Sequence, residues 1–256
     1  MKENEKRLIM ETKKYKITEE TTNVYGRILH RIEALRDFND VKKGDKGGFI
    51  EKEDNLSQNG NCWIYNDAKV CSLAKVYDEA KVYDNAVVSS NAKVYGNADV
   101  YGNARIYNNA KVYDNALIFG NAEVCDNAVV GGNAEIRGNA VVYGNAKVRG
   151  KAVVFDDAEV LDNAVVYDNA EIYGNARVFG NAEIGGDAKV ESAADYIVFK
   201  NWWSSGRYFT WTRSNNMWKV GCFYGTGEQL IEKAYKDSEK SGREYEKIVR
   251  YTETVN

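Results

Sequence analysis

Asn97-Ala98-Asp99-Val100-Tyr101-Gly102 is one copy of a six-residue pattern that fills about half of this 256-residue chain. An aliphatic residue returns at every sixth position from Ile64 to Val190, which makes twenty-two consecutive hexads without an insertion. From Val70 onward, an alanine stands two residues before each of these aliphatic residues. Repetition at a short fixed period is the sequence signature of a solenoid, so this stretch decides the fold.

The alanine and the aliphatic residue of a hexad point to the same side only on an extended strand, where side chains alternate with a period of two. The positions that follow are mostly Gly, Asp and Asn, which tolerate the left-handed backbone conformation of a sharp corner. Each hexad therefore predicts one very short strand and one corner. Because such a unit cannot bury its apolar side alone, three hexads are expected to form a triangular turn that stacks on similar turns.

An aliphatic residue followed four positions later by a small one, as in Val100 and Ala104, resembles the motif of the hexapeptide-repeat family. The resemblance implies a left-handed parallel β-helix, and strands spaced by about 4.8 Å would stack the hexads into about seven coils. The sequence thus predicts a mainly β protein in three parts. These are an N-terminal leader and β cap at 1–60, the β-helix at 61–192 and a small C-terminal α+β module at 193–256.

The N-terminal segment carries weaker signals than the hexads. Residues 1–14 are mostly charged and predict a leader, the alternation at 25–32 predicts one strand, and 44–50 predict a tight turn into a second strand. Leu56 and Cys62 fall on the alanine position of the hexad register. We expect this block to cap the coil end, because an open strand edge would invite pairing with other chains.

The C-terminal segment is rich in aromatic residues. Turn signals at 204–206 and 214–216 divide 196–224 into a predicted three-stranded meander, and two helices are expected at 227–241 and 243–251. Four tryptophans lie in this meander: Trp202, Trp203, Trp211 and Trp218. We interpret them as the core of a small module, with a ligand platform as the alternative.

Composition narrows the classes of function. The hexads hold 12 basic and 18 acidic side chains within a chain of net charge −3, far from the charge of a nucleic-acid mimic. Without an apolar membrane segment or a signal sequence, we expect a cytoplasmic protein. No Cys-x-x-Cys spacing occurs, so we expect no metal, no cofactor and four free thiols, at Cys62, Cys71, Cys125 and Cys222.

Many hexapeptide-repeat proteins transfer an acyl group from a coenzyme A thioester, so the resemblance implies an acetyl-CoA-dependent acyltransferase as one alternative. That chemistry uses a histidine base within the prism and a long loop that covers the substrate. The single histidine of this chain, His30, lies outside the repeat, and the hexads have no insertion. Exposed carboxylates titrate at about pH 4 and make poor bases at neutral pH. We therefore expect no catalytic residue.

The outward positions of the hexads offer a binding surface. Because a turn holds three hexads, every third hexad shares a face, and one face gathers basic and aromatic side chains: Lys75, Tyr77, Lys93, Tyr95, Lys111, Tyr113, Lys147 and Arg149. On one interpretation, the stacked rings simply stabilise neighbouring coils. On another, this face binds an acidic partner or a single-stranded nucleic acid, and the acidic balance of the hexads argues against nucleic acid.

Valine replaces charge at several outward positions, which predicts an apolar patch on the middle coils: Val129, Val141, Val153, Phe155 and Val165. A contiguous apolar patch implies that something covers it. The candidates are the C-terminal helices, a second copy of the chain in a dimer or trimer, and a foreign protein.

Three segments outside the hexads, 31–38, 44–51 and 221–226, resemble a group of hexapeptide-repeat proteins from bacterial and phage or prophage genomes. This resemblance implies a setting and no particular activity. The sequence therefore favours a non-catalytic β-helical scaffold that presents surfaces to a host macromolecule. By analogy with that setting, its expected task is to bind and inhibit a host defence protein.

Overall fold

A computed structural model gives the fold of residues 13–254, so the predicted leader lies almost entirely outside the described residues. The centre of the molecule is a parallel β-solenoid of about eight turns, bounded by sheets of ten, eight and seven strands. A separate four-stranded sheet and two helices follow it. None of the helices in residues 13–254 is long and apolar enough to cross a membrane.

The three solenoid sheets take successive strands in rotation, so each full turn contributes one strand to each sheet. The ten-stranded sheet consists, in spatial order, of β1 (Tyr15–Val24), β2 (Arg27–Ala34), β3 (Lys46–Ile50), β5 (Lys69–Val70), β8 (Val87–Val88), β11 (Arg105–Ile106), β14 (Glu123–Val124), β17 (Val141–Val142), β20 (Glu159–Val160) and β23 (Arg177–Val178). The eight-stranded sheet consists of β4 (Trp63–Ile64), β7 (Lys81–Val82), β10 (Asp99–Val100), β13 (Leu117–Ile118), β16 (Glu135–Ile136), β19 (Val153–Val154), β22 (Glu171–Ile172) and β25 (Lys189–Val190). The seven-stranded sheet consists of β6 (Lys75–Val76), β9 (Lys93–Val94), β12 (Lys111–Val112), β15 (Val129–Val130), β18 (Lys147–Val148), β21 (Val165–Val166) and β24 (Glu183–Ile184).

The interior of the solenoid is built from the alanine and aliphatic positions of the hexads, as the sequence predicts. All of these residues from Ala68 to Val190 are at most 1% exposed. Val100 lies beside Val82 and Ile118 on the neighbouring strands, which confirms three hexads per turn. Burying one valine contributes on the order of 2 kcal/mol. The interior is therefore apolar, and the polar groups that a partner can contact lie on the outer surface and in the caps.

The corners confirm the predicted turn chemistry and also bond successive turns together. Asp78 and Gly96 take left-handed backbone conformations, with φ of 60° and 68°. The Asp78 Oδ2 atom accepts a hydrogen bond from the Gly96 N–H one turn later, at 3.2 Å. At another corner Asn91 donates from Nδ2 to Oδ1 of Asn109 at 3.1 Å, and this pairing continues as an asparagine ladder. The corner residues are thus part of the structural framework.

The solenoid begins one turn earlier than the hexads, because β3 pairs in parallel with β5. This adds a turn to the seven that the hexads predict. Leu56 bridges to Val76 and so takes an aliphatic position, not the predicted alanine position, whereas Cys62 is fully buried. The register differs because the first turn is two residues longer: Leu56 and Val76 are twenty residues apart, whereas Ile64 and its partner Val82 are eighteen apart.

The N-terminal cap contains a β-hairpin, β1 and β2, where the sequence predicted one strand at 25–32. Tyr25 and Gly26 both have positive φ, which suits the tight turn of a hairpin. β1 was not predicted from the sequence, because most of its side chains are polar and its apolar alternation is weak. Arg31 fixes the cap to the first turn: its guanidinium lies 4.2 Å from the Phe49 ring centroid and donates to the Gly47 carbonyl at 2.9 Å.

The C-terminal module has four antiparallel strands where the sequence predicted three: β26 (Tyr196–Lys200), β27 (Tyr208–Thr212), β28 (Met217–Val220) and β29 (Phe223–Thr226). Two helices follow, α1 (Gly227–Asp237) and α2 (Glu239–Thr254). The extra strand arises because Gly221 has a φ of 56°, so the chain reverses a third time at a turn that the aromatic run conceals.

The C-terminal module also covers the end of the solenoid. The Thr210 hydroxyl oxygen accepts a hydrogen bond from the Glu183 N–H at 2.9 Å, and the Ser214 hydroxyl oxygen accepts one from the Lys189 N–H at 2.7 Å. These two N–H groups belong to the last turn, where no further strand can accept from them. The module therefore satisfies backbone donors that would otherwise pair with another chain.

Candidate functional site

The lysine face, as we define it, is the outer surface of the seven-stranded sheet. Lys75, Lys93 and Lys111 lie there on the consecutive strands β6, β9 and β12, in direct register with one another. Parallel neighbours are about 4.8 Å apart, so three ammonium groups follow one another along the solenoid. All three side chains are exposed, and within residues 13–254 none of them has an ion pair. Like charges placed side by side repel, so this row lowers the stability of the sheet.

A tyrosine ladder runs beside the three lysines. The rings of Tyr77 and Tyr95 stack with centroids 4.8 Å apart and planes 4° apart, and those of Tyr95 and Tyr113 with centroids 5.3 Å apart and planes 11° apart. Burial raises the pKa of the Tyr77 and Tyr95 phenols, so both hydroxyls stay protonated at neutral pH. The face therefore presents a row of cations next to a row of ring edges and hydroxyl groups.

Gly131 ends the tyrosine ladder, and the sequence reasoning did not identify its role. A Cβ atom built at Gly131 would lie 2.4 Å from Cζ of Tyr113, so the tyrosine ring rests on the bare backbone of the next turn. Gly185 receives the ring of Tyr167 in the same way, with a Cβ at 2.2 Å from its Cζ. The sequence signal for such a contact is a glycine eighteen residues, or one turn, after a tyrosine.

The remaining two predicted residues of this face, Lys147 and Arg149, lie farther along the same sheet. Lys147 on β18 is flanked by Val129 and Val165, so a turn without charge separates it from the three lysines. Arg149 lies over the Tyr167 ring, with its guanidinium carbon 5.7 Å from the centroid. The structure thus brings together six of the eight predicted residues and sets two apart.

The predicted apolar patch is dispersed around the solenoid. Val129 and Val165 belong to the seven-stranded sheet, Val141 to the ten-stranded sheet, and Val153 and Phe155 to the eight-stranded side. The valines recur every twelve residues, which is two hexads, so each step moves to a different side of the triangular turn. The five residues therefore do not share one face of the solenoid.

The other two outer surfaces pair most of their cations. On the ion-pair face, the outer surface of the ten-stranded sheet, Arg105 meets Glu123 at 3.1 Å and Arg177 meets Glu159 at 3.0 Å. On the ladder face, the outer surface of the eight-stranded sheet, the cations also find partners: Lys81 lies 3.7 Å from Asp40, Arg137 lies 2.7 Å from Glu135, and Lys189 lies 3.4 Å from Glu171. Lys69 on β5 of the ion-pair face is the exception, because among the described residues its Nζ donates only to the Asp67 carbonyl oxygen, at 2.7 Å. The three neighbouring lysines without an ion pair lie on the lysine face.

The ladder face carries the longest aromatic column. Tyr83 and Tyr101 stack at 4.8 Å, Tyr101 and Phe119 stack at 4.7 Å, and the guanidinium of Arg137 lies 4.3 Å from the Phe155 centroid. Stacking of this kind supports the interpretation that rings hold neighbouring turns together.

The predicted tryptophan cluster is mainly a core. Trp203, Trp211 and Trp218 are buried, and Trp203 packs edge-on against Tyr245 at 4.9 Å between ring centroids. Trp202 is 70% exposed and lies outside this core, although its neighbour Trp203 in the same turn between β26 and β27 is buried. As expected, all four cysteines are free thiols, and only Cys222 is exposed.

His30 lies on β2 of the cap, away from the hexads. Its Nδ1 atom is 3.3 Å from the Thr18 carbonyl oxygen on the neighbouring strand, which is a structural contact between two strands. Among the described residues, no group of three or more His, Cys, Asp or Glu side chains could hold a metal ion.

Comparison with known proteins points to the repeat. A family model described as the YdcK β-solenoid repeat matches residues 170–186. The uncharacterized acetyltransferase YdcK of Escherichia coli K12 is 54% identical over 39 residues, which is 15% of this chain and 12% of the relative. The similarity therefore spans a small part of both proteins. Together with the parallel solenoid, these matches fit a hexapeptide-repeat family.

Proposed function

We propose that this hexapeptide-repeat chain is a non-catalytic scaffold whose lysine face binds an acidic surface of a partner protein. The observation that carries the proposal is the unpaired row Lys75, Lys93 and Lys111, in a molecule whose other two faces pair most of their cations. A partner carboxylate opposite each ammonium group would remove the repulsion within the row. Such a row would favour rapid, oriented association with an acidic partner.

The tyrosine ladder favours a protein partner over a nucleic acid. Single-stranded nucleic acids bind by stacking bases on free ring faces. Both faces of Tyr95 are covered, by Tyr77 at 4.8 Å and by Tyr113 at 5.3 Å, and the ring of Tyr113 also rests on Gly131. What remains accessible is ring edges and hydroxyl groups, which suit protein interfaces. The hexads also hold 18 acidic against 12 basic side chains, which opposes a nucleic-acid backbone.

Rigidity supports the same proposal. The lysines and tyrosines stand on strands whose neighbours are fixed by backbone hydrogen bonds on both sides, such as Lys75 N–H to Ala92 O and Lys93 N–H to Ala110 O. A preorganised surface loses little conformational entropy when it binds, so modest contacts yield more affinity.

In its finer form, the proposal places the protein in a phage or prophage setting, where the partner is a host protein such as a defence nuclease. The support for this setting is the resemblance of the segments 31–38, 44–51 and 221–226 to phage and bacterial hexapeptide-repeat proteins. The word acetyltransferase in the name of the E. coli relative describes that protein, of which this chain matches 12%.

The test is capture of partners from host lysate by the tagged protein, with and without nuclease treatment. We expect a stoichiometric protein that survives nuclease and is lost from the triple variant Lys75→Glu, Lys93→Glu and Lys111→Glu, with affinity falling on the order of a hundredfold. The matched control is Lys43→Glu, Lys151→Glu and Lys240→Glu, which changes the net charge equally at scattered exposed lysines. This control should retain the partner.

Four outcomes would contradict the proposal. Equal loss of the partner in both triple variants would mean a nonspecific charge effect, and recovery of only nuclease-sensitive material would assign the face to nucleic acid. The third is a mass in solution of two or three copies that the face variant reduces to one, which would make the partner a second copy of the chain. Binding of acetyl-CoA in a titration would favour acyl transfer instead.

A further inference from the structure

A small cleft opens in the C-terminal module, away from the lysine face. It has a volume of about 240 Å³ and lies where the β28–β29 turn, the β26–β27 loop and the two helices meet. Its walls are formed by Asn201, Ser205, Arg207, Tyr208, Val220, Gly221, Cys222, Phe223, Lys233 and Tyr245. No carboxylate is among these residues, although the chain as a whole is acidic.

Two cations in this cleft have no partner. Arg207 and Lys233 make no side-chain hydrogen bond or ion pair within residues 13–254. The Arg207 guanidinium lies over the β28–β29 turn: a Cβ built at Gly221 would be 3.6 Å from its Nη1 atom. Several other cations of the module are in ion pairs, such as Lys236 with Glu232 and Arg243 with Glu239. The cleft therefore holds two cations without an ion pair among the described residues.

A buried hydroxyl adds a directed donor. Tyr245 is 7% exposed, and its hydroxyl oxygen accepts a hydrogen bond from Nδ2 of Asn201 at 2.9 Å. The orientation of the Asn201 amide is set by its Oδ1 atom, which accepts from the Ser204 N–H at 3.0 Å. Because the asparagine donates, the phenolic proton of Tyr245 has no acceptor among the described residues, and it is free to serve a ligand in the cleft.

We propose that this cleft binds a small oxyanion, a carboxylate or a phosphate, through Arg207, Lys233 and the Tyr245 hydroxyl. A guanidinium and an ammonium group supply charge-assisted hydrogen bonds, and the phenol supplies a third donor in a partly desolvated site. The rings of Tyr208 and Phe223 form apolar walls, so a ring or short apolar group attached to the anion fits beside them. The site belongs to the module and is independent of partner binding on the lysine face.

The experiment is a calorimetric titration of the full chain with inorganic phosphate and, separately, with benzoate, at constant ionic strength. We expect saturable binding that Arg207→Gln and Lys233→Gln each weaken by about tenfold, because each removes one charge-assisted contact. Tyr245→Phe keeps the ring packing and should weaken binding less. The matched control is Lys240→Gln, an exposed lysine of α2 outside the cleft, which should leave binding unchanged.

Cys222 reports where the anion binds, because it lines the cleft and is the one exposed cysteine among the described residues. A bound anion should slow its alkylation by iodoacetamide, because the anion would occupy the cleft that this thiol lines. Tighter phosphate binding identifies a phosphate ligand and tighter benzoate binding an aromatic carboxylate. The proposal is wrong if neither anion binds, if Lys240→Gln weakens binding as much as Arg207→Gln, or if saturating anion leaves the alkylation rate unchanged.

Discussion

The lysine face and the ion-pair face bury the same types of side chain on the inside of the solenoid but differ in the charges that they carry on the outside. Behind each, alanines and aliphatic residues are fully buried in the same register. Outside, Arg105 lies 3.1 Å from Glu123 on the next turn, whereas Lys93 has Lys75 and Lys111 as its neighbours. Stability alone would favour alternating signs on both faces. The comparison shows that the buried side chains determine the fold. It also shows that the lysine face lacks the alternation of opposite charges that would stabilise it most.

Gly131 is a position at which the lysine face has no room for a larger residue. Gly131→Ala would place a Cβ atom 2.4 Å from the Tyr113 ring, so the ring must move, at a cost of about 1–3 kcal/mol. Thermal unfolding measures this loss of stability. The double variant Gly131→Ala, Tyr113→Ala makes room again, so its loss should be clearly smaller than the sum of the two single losses. Additive losses would show that the ring does not rest on Gly131.

Alkaline pH should distinguish the two tyrosine columns. Burial raises the pKa of Tyr83 on the ladder face from 10.0 to about 12, and raises that of Tyr95 on the lysine face less. Between pH 10 and about 12, Tyr83 keeps its proton in the folded state and loses it in the unfolded state. The free energy of unfolding therefore decreases as the pH rises through this range.

Unfolding measured across this alkaline range should show the decrease in the native chain. Tyr83→Phe should reduce the decrease more than Tyr95→Phe, because the deeper phenol has the larger shift. If both substitutions leave the pH dependence unchanged, the stacked phenols are not protected by burial.

The substitution with the smallest expected effect on stability, Lys93→Glu, separates stability from partner binding. Lys93→Glu places a carboxylate between Lys75 and Lys111 and copies the ion-pair face, so it should raise stability by about 0.5 kcal/mol. The same change should weaken binding of the partner protein. Denaturant unfolding and a binding titration on one preparation measure both. A variant that gains stability and loses binding would show that the row of lysines is kept for its partner.

The mirror change is Glu123→Lys on the ion-pair face, which breaks the pair with Arg105. It should lower stability by about 0.5 kcal/mol and leave partner binding unchanged. If Glu123→Lys weakened binding as much as Lys93→Glu, the two faces would not differ in function.

Much of the solenoid could be predicted from the sequence, because every turn of the repeat buries the same types of side chain at the same positions. The buried columns, the corners and the grouping of Lys75 with Lys93 and Lys111 all follow from counting in sixes and eighteens. The caps were predicted less well. The strand β1 is mostly polar and the turn at Gly221 lies within an aromatic run, so neither shows the local pattern on which a prediction depends.

By itself, the sequence determined the parallel solenoid, its inward and outward residues and the lysines that share a face, because a strict period leaves one way to bury the apolar positions. Only the tertiary structure decided where the first turn begins, which cations are paired, that Gly131 receives the Tyr113 ring, and that Arg207, Lys233 and Tyr245 meet in one cleft. These features depend on residues from separate elements. The distances between such elements are set by packing, and a local sequence period contains no information about them.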